Sequence, residues 1–174
     1  VQEASNIPLE LLAGLNIDLF FAQNNAHLSQ IIDSAQSKQH PTIVLEDLVL
    51  VNRQKNAVVS AEIECIKTGS DISILCSGSI LPDLLEAVED LEYSIGISIE
   101  ILCLHNILCT DQQEIASSIA KTGRVICVNL PKQLSHLIHS HSFWSLESQP
   151  QFFSALSSFD QTAFAAVIEE SLEP

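Results

Sequence analysis

Asp71 to Leu104 read DISILCSGSILPDLLEAVEDLEYSIGISIEILCL, and the two periodicities in that stretch decide the fold. The opening DISILCSG and the closing ISIEILCL are short, nearly continuous apolar runs, the pattern of strands covered on both faces in a parallel sheet. Between them, ILPDLLEAVEDLEYS sets Leu81, Leu84, Leu85, Val88 and Leu91 along one helical face, with Asp83, Glu86, Glu89, Asp90 and Glu92 turned away from it. Pro82 fits a helix only in its first turn, where a missing N–H forfeits no hydrogen bond. Gly96 closes the helix and admits the second strand.

The pattern repeats on either side. Downstream, Thr110 opens a helix with Gln113 at capping-box spacing, and Ile115, Ala116, Ile119 and Ala120 are predicted to be its buried face. Gly123 is its expected C-cap, and RVICVNL is the third strand. Three strands joined by helices through short connections imply a parallel sheet with right-handed crossovers. Upstream, NIDLFF, AHLSQIIDSAQSKQ and HPTIVLED read as one more β-α-β unit, with Leu28, Ile31, Ile32 and Ala35 at helical spacing. Residues 48–68 lack helical periodicity and carry three of the seven basic residues, so they read as an extended crossing segment with one or two edge strands. Beyond Pro131, QLSHLIHSHSFWSL is expected to hold a short helix and FFSALSSF (152–159) a strand. TAFAAVIEESL is a closing helix with Phe164, Val167, Ile168 and Leu172 inward.

Composition narrows the function classes. A chain of 174 residues with 47% apolar and 17% charged residues is long enough for one full globular domain and part of another. The longest apolar run, IGISIEILCLHNILC, is broken by Glu100 and His105 and falls short of a membrane span. No signal-like or transit-like segment opens the chain, so a cytoplasmic location is expected, or the mitochondrial matrix in a eukaryote. Without an initiator Met, Val1 reads as lying downstream of a natural start. Twenty-two acidic residues against seven basic ones give a net charge of −15, which repels nucleic acid and anionic membranes and favours a basic protein partner. Of five cysteines, Cys76, Cys103 and Cys127 sit in apolar strand runs and are expected to be buried and inert, and no C-x-x-C pair occurs. Five isolated glycines can build neither G-x-G-x-x-G nor a phosphate loop, and G-x-S-x-G is absent, which excludes catalysis resting on those devices.

The segments GSDISILCSG (69–78), LLEAVEDLEYSIGISIEIL (84–102) and DQQEIASSIAKTGRVICV (111–128) resemble the C-terminal domain of the transketolase superfamily, most closely the beta subunit of the thiamine-dependent component of 2-oxo acid dehydrogenases. Residues 11–47 resemble the last β-α-β unit of that family's pyrimidine-binding domain, and all five glycines fall where the family has one. The resemblance implies an α/β fold: a three-layer, mostly parallel sheet domain at 71–174, a crossing linker at 48–70, and the end of a pyrimidine-binding domain at 1–47. It implies oxidative decarboxylation of a 2-oxo acid with acyl transfer to lipoyl groups in the full-length enzyme. Thiamine diphosphate and magnesium would be held there by a glutamate and a GDG...N motif, neither of which lies in this chain. The implied partners are a second beta subunit in a homodimer, or alpha subunits in a heterotetramer, and the acyltransferase's basic subunit-binding domain. Two active-site histidines of the family align with Val1 and Leu11, and its D-L-R-T-x-x-P-x-D reads CLHNILCTD, with Cys103, His105 and Cys109 replacing Asp, Arg and Pro. Asn129 replaces an acidic residue, and LPKQLSHLIHSH replaces a glycine-rich turn that lies at a subunit interface. These departures keep two other readings open: a degenerate, non-enzymatic assembly module, and another superfamily enzyme such as transketolase or deoxyxylulose phosphate synthase.

No residue of the chain is assigned a catalytic, cofactor-binding or metal-binding role. His136, His139 and His141 have spacings of three and two with no further ligand nearby until Glu147, an incomplete zinc pattern that reads as solvated histidines on a loop. Cys103 and His105 share a strand face, but neighbouring strand residues diverge from the geometry a nucleophile and its base need. His105 is therefore expected to cap or pair at the strand end. Glu86, Glu89, Asp90 and Glu92 read as a solvated helix face. Glu169, Glu170 and Glu173 are the candidate partner-binding residues, because the resemblance places docking of a basic module on this domain.

Overall fold

A strand that is apolar at every position needs cover on both faces, and the computed structural model of the chain provides it with helices on either side of a mixed sheet. It describes residues 17–22, 25–37, 41–46, 62–77, 80–107, 112–130, 132, 134–155 and 159–173. In order these form β1 (Asp18–Ala22), α1 (Asn25–Ser37), β2 (Thr42–Glu46), β3 (Ile63–Lys67), β4 (Ile72–Cys76), α2 (Leu81–Ile95), β5 (Ile99–Leu104), α3 (Gln112–Thr122), β6 (Val125–Val128), α4 (Leu134–Ser142), β7 (Gln151–Phe153) and α5 (Gln161–Leu172). The main sheet has five strands in the order β3-β5-β4-β6-β7, parallel except for β3, which lies antiparallel at the edge. β1 and β2 form a separate two-stranded parallel sheet. The three-layer, mostly parallel α/β architecture expected from the sequence is the one observed.

All five residues of β4 are buried, and alternate side chains feed two cores. Ile72, Ile74 and Cys76 join Ile99, Ile101, Leu84, Val88, Phe164 and Ile168 under α2 and α5. Leu75 joins Leu102, Leu104, Cys127, Ile115, Ile119, Leu134 and Ile138 under α3 and α4, together with Leu19 from β1. Phe153, Phe159 and Phe164 pack with ring centroids 5.2 to 5.7 Å apart and close the first core at its β7 end. Pro82 falls in the first turn of α2, as its chemistry demands.

Hydrophobicity misplaced two faces. In α3 the buried residues are Ile115, Ser118, Ile119 and Thr122, while Ala116 is half-buried and Ala120 exposed. The helix is turned toward polar groups on the sheet: Ser73 Oγ lies 2.6 Å from Ser118 Oγ and 2.7 Å from Thr122 Oγ1, and Ser118 donates to Glu100 Oε1 at 2.5 Å. Glu100, buried on β5, also pairs with Lys121. Burial alone would raise its carboxyl, but hydrogen bonds from Lys121 and Ser118 outweigh that and hold it below the usual carboxylate range. Glu92 likewise leaves the solvated face assigned to it, accepting from Lys67 Nζ at 2.6 Å and from the Ile99 N–H at 2.7 Å.

Two further expectations change toward the C-terminal end. Of the strand expected over 152–159, the described residues show Gln151–Phe153 as a strand, and Ala155 turns its N–H to Asn129 Oδ1 rather than to a ladder. The histidine cluster read as lying on a loop belongs instead to α4, the short helix expected over QLSHLIHSHSFWSL. The Thr110 capping box, Cys109 and Asp111 lie outside the described residues, as do Val1 and Leu11.

Gly69 precedes β4 against the backbone of β5. A Cβ there would meet the Ile99 carbonyl carbon at 2.2 Å and the Glu100 nitrogen at 2.4 Å. Gly69→Ala is expected to cost on the order of 3 kcal/mol, since backbone atoms cannot move aside. At Gly96, with φ 79° and nothing within 4 Å of a Cβ, alanine incurs only left-handed strain, about 1 kcal/mol. Urea unfolding of both variants checks this, and equal midpoints would contradict the close approach.

Candidate functional site

Ligands of open α/β sheets gather at the carboxyl ends of strands whose crossovers leave in opposite directions. Here that point lies between β4, which leads to α2, and β6, which leads to α4 on the other face. Ser77 follows β4, buried, with no hydrogen-bond partner for its hydroxyl among the described residues. Asn129 follows β6 in the left-handed region at φ 54°, a conformation asparagine tolerates better than most side chains. Its Oδ1 accepts from the Ala155 N–H at 2.7 Å and its own N–H donates to the Phe153 carbonyl at 3.0 Å. Asn129 thus ties the end of β6 to the end of β7, a structural task that occupies its side-chain acceptor.

Cys103 and His105 do not act together. Cys103 is fully buried in register with Cys76 across β4 and β5, and the hydrogen bond between the two thiols, with burial, raises the Cys76 thiol well above its usual range. Burial alone raises the Cys127 thiol above its usual range. All three strand thiols are buried among apolar side chains, as expected. His105 lies just past β5, where its N–H donates to the Glu62 carbonyl and its carbonyl accepts from the Phe21 N–H. Its ring meets that of His27 on α1 edge to face, with centroids 5.1 Å apart. Glu64 Oε2 stands 3.4 Å from its Nε2 without forming a hydrogen bond. Burial lowers both imidazoles, each to about 4, with repulsion from His105 adding to the effect at His27 and Glu64 opposing it there.

An open groove of about 630 Å³ runs between the end of α4 and the end of α5. Phe143, Leu146 and Pro150 line it with Glu147, Glu170 and Glu173. Phe143 and Trp144 form a short 3₁₀ turn after α4 with their rings edge to face, and Trp144 is 95% exposed. Arg124 pairs with Glu147 at 2.8 Å, so the groove keeps an acidic excess at Glu170 and Glu173. Glu169 is exposed beside them but outside the lining. The acidic end of α5 was legible from sequence, but Phe143 and Glu147 were missed, and an aromatic pair following a polar helix was the available signal. His136, His139 and His141 are exposed on α4, and His139 Nδ1 bonds only its own helix at the Ser135 carbonyl. Among the described residues no group of three or more His, Cys, Asp or Glu comes together to hold a metal. The acidic, aromatic-edged groove has the chemistry to meet a cationic surface.

Residues 61–130 match the transketolase C-terminal domain family. The chain is similar to pyruvate dehydrogenase E1 component subunit beta from Acholeplasma laidlawii, at 30% identity over 51% of this chain and 29% of that protein. It is similar to the Staphylococcus aureus (strain N315) subunit of the same name, at 30% identity over 56% and 32%. It is also similar to the mitochondrial 2-oxoisovalerate dehydrogenase subunit beta of Dictyostelium discoideum, at 34% identity over 49% and 25%. The matched part thus spans a third or less of these relatives. Among solved structures, a split-gene transketolase in an inactive beta4 tetramer superposes with a TM-score of 0.69 over 90% of this chain and 57% of that one, at 16% identity. That likeness shows the shared fold. No helix among the described residues is long and apolar enough to cross a membrane.

The structural role of Asn129 predicts a graded series. Asn129→Asp keeps the acceptor for Ala155 and is expected to change stability by less than about 0.5 kcal/mol. Asn129→Gly loses that bond alone, about 1 kcal/mol, and Asn129→Ala adds left-handed strain for about 2 kcal/mol in all. Denaturation midpoints in that order support the role, and three equal midpoints would refute it.

Proposed function

We propose, from the match of residues 61–130 to the transketolase C-terminal domain family, that this chain is the C-terminal part of a beta-type subunit of a thiamine-dependent 2-oxo acid dehydrogenase. The observation that carries the proposal is the similarity to beta subunits of both the pyruvate and the 2-oxoisovalerate enzymes. In this reading residues 1–47 end a pyrimidine-binding domain, 48–70 cross over, and 71–174 form the C-terminal domain. The reaction is oxidative decarboxylation of a 2-oxo acid, with thiamine diphosphate and magnesium held by residues outside this chain. This part serves subunit pairing and the docking of a basic acyltransferase module. Glu170 and Glu173, with Glu169 beside them and Phe143 across the groove, supply the charge and the apolar anchor for that docking.

A second reading, a non-enzymatic assembly relative, is favoured by one observation. His105 stands where the family has an arginine, and it is buried at 1% exposure. The two readings part at the rest of the protein: an enzyme requires the thiamine-binding glutamate and the GDG...N motif in the full-length chain or its partner subunit.

Docking predicts tight, salt-sensitive binding of a basic subunit-binding domain by the full-length protein. Calorimetric titration in 50 mM and 300 mM salt is expected to show affinity falling about tenfold or more, with a further loss of about tenfold in Glu170→Lys/Glu173→Lys. Binding indifferent to salt and to both substitutions, or no binding, would remove this surface from the proposal.

A further inference from the structure

The β1–α1–β2 unit meets the main sheet at a junction that contains two histidines. The Phe21 N–H donates to the His105 carbonyl at 3.1 Å, the Ile107 N–H to the Leu19 carbonyl at 2.9 Å, and Phe20 bridges to Asn106. Asn106 adds its side chain, accepting from the Leu19 N–H at 3.3 Å and donating to Asp18 Oδ1 at 3.1 Å. Beside these bonds His27, at 4% exposure, comes from one body and His105, at 1%, from the other. We propose that this contact is a proton-operated latch: neutral His27 and His105 hold the β1–α1–β2 unit against the five-stranded sheet, and their protonation releases it.

The geometry sets the direction of the response. A charged imidazole at this junction has a like neighbour 5.1 Å away, ring to ring. Among the described residues the carboxylate facing the pair is Glu64 from β3, half exposed and 3.4 Å from His105 Nε2, while Asp18 from β1 is engaged by Asn106. The Cys103 thiol, two residues earlier on β5, is occupied with Cys76. Glu64 remains partly in water, so it compensates little of the cost of charging a buried ring. Both imidazoles are accordingly depressed when docked, to about 4, against 6.5 when free. A depressed histidine stabilises the docked state fully above pH 6.5 and loses that contribution as pH falls from there toward 4. When both rings take up a proton on release, the ratio of released to docked unit rises roughly 60-fold between pH 7 and pH 5.5, and roughly 500-fold by pH 5. Main-sheet strands β4 and β6 have no histidine and are expected to stay closed over this range.

Hydrogen exchange on the full-length protein, corrected for the intrinsic pH dependence of amide exchange, reads the latch directly. Protection in segments 17–22 and 105–107 is expected to fall roughly 60-fold from pH 7 to pH 5.5. Segments 72–76 and 125–128 serve as internal controls and keep their protection. A change below tenfold at the junction overturns the proposal, as does simultaneous loss in the control strands, which would mean global acid unfolding. In His27→Gln/His105→Gln the junction should become insensitive to pH, and a persisting fall would assign the effect to other groups and overturn the latch. If that variant does not fold, the imidazole resonances of the unsubstituted protein decide: both rings must remain neutral down to pH 5 while docked, and titration of either near 6.5 refutes the proposal.

Discussion

β4 has no exposed position, and the arrangement of the main domain follows from that constraint. A strand buried on both faces at the centre of a sheet must be flanked by other strands and roofed on both sides. β5 and β6 pair with it, α2 and α5 cover one face, and α3 and α4 cover the other. The divergence of the β4 and β6 crossovers is a consequence of serving two faces from one central strand. So is the position of His105, at the carboxyl end of β5 where the upstream unit can reach the sheet.

Polar groups decide how these layers register. Ser73 and Glu100 present oxygens to the α3 side, and α3 answers with Ser118, Lys121 and Thr122 rather than with its alanines. Buried hydroxyls and carboxylates cost little when hydrogen-bonded and far more when left alone. Rotating α3 to bury Ala116 and Ala120 would orphan several of them at once. The same logic holds Glu92 against Lys67 and the start of β5, and places the acceptor of Asn129 on Ala155.

Much of the candidate binding surface was legible along the chain, and part of it was not. Glu169, Glu170 and Glu173 cluster within five residues at the end of a periodic helix, so their shared neighbourhood follows from helical geometry. Phe143 and Glu147 reach the same groove from a different helix end, and no local pattern joins them to α5. His27 lies four residues before Ile31 and therefore on the buried face of α1, a signal present in the sequence. Its partner His105 is far away in the chain, and only the docking of two units brings the rings together.

The sequence by itself determined most of the element types, the parallel sheet and the burial of the strand cysteines, because short apolar runs and helical periods are local consequences of burial. It also determined the absence of phosphate-cradling loops and the acidic character of the surface. Only the tertiary structure decided which face α3 buries, where β7 stops, which glutamates are solvated and which are anchored, and that two histidines share one dry junction. These depend on hydrogen-bond partners and burial contributed by distant segments, and the energy of a polar group is set by its surroundings in space rather than by its neighbours in the chain.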